Sequence, residues 1–296
     1  MSVYPIQYSN KYLGYKSHGD CKMTTTPATS NPLMMGGRIP GSTFQLPSRG
    51  LFYENGELEQ GTHEGEVHVF PMSGYDEIIM KTPDLLFNGQ AIEQVFSRCI
   101  PAIKKPLRLL ARDVDYLLIC LRSVAYGNNV DLIHNHGCEN GRDNKYSVSI
   151  EEFMKKTKQI DPTIYATQYC VTMPDRRKCF LNPLRYDAVV DMMTESISER
   201  EDYTPIELHT EMSSRLAGLI NRVVIPQDIE DDIVVSNPDQ ILEWIQSLII
   251  PLIKVLNDGI EKIADWGPDT SFTVQCKDCS KDMVVVAPLN PMHFFT

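Results

Sequence analysis

Two ligand-bearing turns far apart in the chain set the strongest constraint on its fold. Residues 132–150 read LIHNHGCENGRDNKYSVSI and residues 272–286 read FTVQCKDCSKDMVVV. Each is a strand-like run, a polar turn carrying His or Cys, and a returning strand-like run. Structural zinc takes four tetrahedral nitrogen or sulfur ligands, and two such knuckles facing each other supply them. If the turns share one ion, the chain must bring them together and loop out everything between them. That closure costs little extra, because loop entropy grows only logarithmically with length. The expected ligands are Cys276 and Cys279 from the second turn, and Cys138 with either His134 or His136 from the first. His134 is preferred, because His134-x-x-x-Cys138 leaves a turn of usable length. The competing reading makes these cysteines plain thiols beside an exposed hairpin and the histidines polar loop residues. A redox pair is disfavoured: a reactive Cys-x-x-Cys sits at a helix N-terminus, whereas a β-type run follows Cys279.

The other cysteines are scattered, which is not the pattern of a disulfide scaffold. Cys99 and Cys120 fall on apolar helical faces, where they act as small hydrophobes.

Residues 1–44 are expected to form an extended N-terminal arm. They are rich in Tyr, Ser, Thr, Pro, Asn and Gly without a sustained hydrophobic period, so they cannot bury enough surface to offset ordering entropy. Tyr4, Pro5, Tyr8, Tyr12 and Tyr15 suit a segment that orders on a partner, and a floppy terminus is the alternative. Residues 45–296 read as one domain, with the knuckles at 130–150 and 272–286.

Within that domain, Glu66-Val-His-Val-Phe70 alternates as a strand. Thr82-Pro83-Asp84 opens a helical stretch that Gly89 splits in two. Val114, Leu117, Leu118, Leu121 and Val124 recur at helical spacing and end at Gly127, so this is the clearest helix, with an αL cap expected. Tyr165–Met173 and Lys178–Leu181 predict a hairpin across Pro174-Asp175. Further helices are predicted near 186–197, 206–223, 238–249 and 252–265, with Pro251 separating the last two. The fold class read from this pattern is α+β: a mainly helical body, a small β entry and a split zinc-ribbon-like β element.

The net charge of −11 argues against attraction to nucleic-acid backbones, and Lys104-Lys105 and Arg176-Arg177-Lys178 are isolated clusters best read as solvated loops. The most apolar run, Ser247–Leu256, is too short for a membrane span, and the N-terminus lacks a signal-peptide core, so a cytoplasmic chain is expected. The sequence has no His-Glu-x-x-His, phosphate-binding loop or Gly-x-Ser-x-Gly elbow. Glu139 and Asp278 beside the ligands, and His209 within a helix, read as solvated groups rather than catalysts. No enzyme activity is expected.

Several stretches, in this order, resemble the baseplate hub proteins of T-even-like contractile-tailed bacteriophages. They are LPSRGLFY, then VFPMSGYDEIIMKTPDLLFNGQAIEQVFSRCI, the helix LLARDVDYLLICLRSVAYG, and the terminal CKDCSKDMVVVAPLNPMHFF. The resemblance covers residues 44–296 and leaves the arm out. It implies a structural component of the virion tail baseplate, assembled in the host cytoplasm. Its partners would be other baseplate and tail subunits in a symmetric multi-subunit assembly, without nucleic acid or membrane. A hub assembly factor absent from the finished virion is the alternative. The resemblance also implies paired Cys-x-x-Cys knuckles. This chain keeps the second at Cys276 and Cys279, and has histidines with Cys138 at the first.

Overall fold

The computed structural model describes residues 39–135, 137–138, 143–167, 169–197, 204–229, 231–289 and 291–295. The expected arm as far as residue 38, Cys21, His136 and Glu139 lie outside the described residues. The described chain is a mixed α/β fold of helices and small antiparallel sheets. No helix among the described residues is long and apolar enough to cross a membrane.

The β entry pairs β1 (Ser42–Gln45) antiparallel with β2 (Glu66–Val69), Phe44 opposite Val67. Strand β1 therefore takes in residues 42–44 of the segment read as arm. The alternation of Glu66-Val-His-Val sends Val67 and Val69 into the core. Three helices follow: α1 (Gly74–Met80), α2 (Pro83–Phe87) and α3 (Gln90–Cys99). A capping box opens α1, in which the Asp76 amide donates to the Ser73 hydroxyl and the Ser73 amide to the Asp76 carboxylate. Gly89 splits α2 from α3 as expected. Thr82 has the backbone of an N-cap, but its hydroxyl donates to the Ile78 carbonyl instead.

Helix α4 (Ala111–Tyr126) is the central element and ends where expected, at Gly127. That glycine has φ +82 but ψ −169, outside the expected αL geometry. Near its start, α4 holds the stretch Leu46–Tyr53. The Asp113 carboxylate, 0 % exposed, accepts from the Ser48 amide at 3.0 Å and from the Tyr53 hydroxyl at 2.7 Å. The Tyr53 oxygen in turn accepts from the Leu110 amide at 3.0 Å. Burial pushes the Asp113 carboxyl up to about 6, against the lowering effect of its hydrogen bonds. Two stretches that sequence reading kept separate, LPSRGLFY and the Asp-x-x-Tyr-Leu-Leu helix, are thus one interlocked unit.

A hairpin of β3 (Asn129–His134) and β4 (Asn144–Ser149) follows, then α5 (Ile150–Lys156) and α6 (Pro162–Ala166). Helix α6 occupies part of the expected strand 165–173. Asp161 accepts from the Thr163 amide as its N-cap and Pro162 takes the first turn, so the strand shrinks to β5 (Cys170–Thr172). Strand β6 (Lys178–Leu181) pairs with β5 as expected. Next come α7 (Tyr186–Ile197) and α8 (Pro205–Gly218). The predicted helix 206–223 stops at Gly218, and Ile220–Ile225 forms β7 instead. The reason is composition: four of the six residues of INRVVI are β-branched, and Ile220 and Val223 are buried in the core between this sheet and the later helices. With β8 (Ile233–Val235) these strands form one sheet in the order β5-β6-β7-β8, which the helical reading of this half did not foresee.

Helices α9 (Pro238–Ser247) and α10 (Ile250–Ile263) cover that sheet with Ile241, Ile245, Leu256 and Ile263, making a second core. Pro251 falls in the first turn of α10, where its missing amide costs no hydrogen bond. Gly259 lets α10 lie close over β5: a Cβ there would sit 2.5 Å from Val171 Cγ1. The chain closes with β9 (Ser271–Gln275), β10 (Asp282–Val286) and α11 (Pro291–Phe294). Phe294 and Phe295 return to the first core, around α3 and α4.

Candidate functional site

The two knuckles do meet. Hairpin β3-β4 buries Val130 and Val148, and hairpin β9-β10 buries Phe272 and Val285, in the same core, with Phe153 and Phe272 ring centroids 6.3 Å apart. The backbone groups of Lys158 and Gly267 exchange hydrogen bonds at 3.0 and 2.8 Å, bringing the second hairpin beside the first. Each hairpin remains its own two-stranded sheet, without ladder pairing between them. Side chains join their tips. Asn144 Nδ2 donates to Asp278 Oδ2 at 2.8 Å, and Lys277 Nζ donates to the Lys145 carbonyl and lies 5.3 Å from the Tyr146 ring centroid.

At these tips the Sγ atoms of Cys138, Cys276 and Cys279 all lie within 4.8 Å of one another, the one such cluster among the described residues. Gly137 carries the first turn at φ +71, its amide donating to Asn135 Oδ1 at 2.9 Å, and so presents Cys138. In the second turn the Ser280 amide donates to the Cys276 carbonyl, and the Cys276 amide to the Lys281 carbonyl. Cys276 is 2 % exposed, Cys138 half-buried and Cys279 exposed. The Cys279 amide above all, then the Asp278 amide and the neighbouring thiols, lower the Cys276 thiol to about 7 despite its burial. His134 ends β3 opposite Asn144 and does not join the cluster.

The donor chemistry fits a thiophilic ion. Zinc about 2.3 Å from each sulfur would place the sulfurs about 3.8 Å apart, inside the 4.8 Å that bounds the observed cluster.

A second feature escaped sequence reading: a groove of about 920 Å³ between the two cores. Its walls come from α2, α4, α7, α8 and α10, and Phe87, Leu184, Met193 and Met212 line it while remaining exposed. Met212, on α8, is 62 % exposed. Among the described residues, Asp115 is the one acid lining it, beside Arg112 and Arg215; its carboxyl is pushed up to about 6 by burial, with Arg112 opposing the shift. The available signal was α7, where Tyr186, Ala188, Val189, Val190, Met192 and Met193 are too many apolar residues for one buried helical face.

Compared with known protein families, the chain matches the one described as T4 bacteriophage base plate protein over residues 62–296, more than half its length. No curated protein and no solved structure matches it.

Proposed function

The chain belongs to the T4 bacteriophage base plate protein family, and from that membership we propose that it is a structural component of the baseplate hub, working by protein binding and carrying no catalytic step. Membership itself makes it a phage baseplate protein, with a place in the virion tail baseplate and association with other baseplate or tail components. The hub position, the binding mode and assembly in the host cytoplasm are our reading. The groove is the observation that supports binding. Exposed large apolar side chains scattered singly are ordinary, but four of them lining one groove mark an interaction surface. Methionines there allow the surface to adapt to its occupant.

The occupant that suits this groove is the apolar face of a helical segment on a neighbouring baseplate subunit. In a symmetric assembly the contact would repeat around the axis. Two experiments test the reading. Mass spectrometry of purified virions should find the chain; its absence there, with presence in assembly intermediates, would identify an assembly factor instead. Replacing Met212 by Glu should leave the isolated protein folded and block its incorporation; normal incorporation would remove the groove from the account.

A further inference from the structure

We propose that Cys138, Cys276 and Cys279 bind one structural zinc ion that staples the first hairpin tip to the last. This claim stands apart from the docking reading and survives if that reading fails. Three thiols from two distant segments converge within 4.8 Å, whereas the described cysteines at 99, 120, 170 and 179 join no such group. Chance proximity explains this poorly, because the surrounding contacts are built across the same gap: Asn144 to Asp278, and Lys277 to the Lys145 carbonyl and Tyr146 ring. The turns are also shaped for presentation, with Gly137 and Ser280 both at positive φ beside the ligands.

The ligand type selects the ion. Three cysteines are the greater part of the Cys₄ and Cys₃His sets that hold structural zinc, whereas catalytic zinc is bound mainly by histidines and carboxylates. Thiolates favour zinc strongly over magnesium or calcium, which prefer oxygen. On binding, each Sγ gives its proton to solvent, and closing a structural site needs one further donor beside the three thiolates. His134 stands outside the cluster, so the three sulfurs carry the claim without it. Such an ion would couple two hairpins that share a core but no strand ladder.

The test begins with protein purified without a His tag and analysed for metals. About one zinc per chain is expected, retained by Cys170→Ser and lost from the Cys276→Ser and Cys279→Ser double variant. Replacing zinc by cobalt(II) should produce the intense near-ultraviolet sulfur-to-metal charge-transfer band of a thiolate-rich site. A further readout needs no variant: zinc should slow alkylation of the exposed Cys279 by roughly tenfold or more, and chelation should restore it. Iron in place of zinc, no bound metal, a Cys276–Cys279 disulfide in the isolated protein, or zinc retained by the double variant would overturn the proposal.

Discussion

Replacing Asp113 by Asn tests how α4 holds the entry segment. The buried carboxyl keeps its proton up to about pH 6 in the folded protein, compared with 3.8 when unperturbed. Between those values the native state binds the extra proton, so its stabilising effect is complete below the lower value and lost as pH rises through the upper. At about 1.4 kcal/mol per pH unit, the displacement from 3.8 to about 6 corresponds to about 3 kcal/mol. Asparagine has no such proton. Its carbonyl can still accept from the Ser48 amide, but the Tyr53 hydroxyl loses its acceptor, at a cost of about 1–3 kcal/mol. The variant should therefore be clearly less stable than wild type near about pH 4 and close to it at about pH 7, a relative swing of about 3 kcal/mol. Urea unfolding across that range measures it. Tryptophan fluorescence is a suitable signal, because Trp266 packs in the same small cluster as Leu110 and Tyr53. Parallel pH profiles for the two proteins would refute the assignment of a proton-retaining carboxyl at this junction.

Leu121, fully buried on α4, should cost about 2–5 kcal/mol when replaced by Ala, seen as a lower urea midpoint; an unchanged midpoint would place this helix face outside the core. Gly259→Ala should cost about 1–3 kcal/mol, since its new methyl meets Val171 across the α10 and β5 contact, and thermal unfolding would show it. Arg185→Ala should cost about 3 kcal/mol by chemical denaturation. It removes the donor that joins buried Glu57 to the Arg108 and Phe52 carbonyls, although Arg108 stays paired with Glu57.

Periodicity was a reliable guide where one face alone is buried. Val114, Leu117 and Leu121 predicted α4, and the alternation of Glu66-Val-His-Val predicted β2. It failed where a helix passes directly into a strand. The residues Leu216 to Val223 can be read at helical spacing, and only the β-branched run after Gly218 marks the change. Strand β8 is three residues long and too short to carry a pattern. At the candidate site, residue chemistry pointed to Cys138, Cys276 and Cys279, and the structure brings all three together. It does not bring His134 to them. Spacing along the chain says nothing about which way the end of β3 directs a side chain, and His134 remains in register with Asn144. The Asn144 and Asp278 contact was invisible because it depends on how two separately folded hairpins lie beside each other. The groove was hidden for a related reason: its walls come from five helices whose apolar residues each suggested core.

A reconstruction of the baseplate in purified virions, at a resolution that traces side chains, tests the central claim most directly. The account predicts density for this chain in the hub, with a neighbouring subunit's helix seated against Met193 and Met212. A complete baseplate without the chain, or one in which the groove faces open solvent, would contradict it.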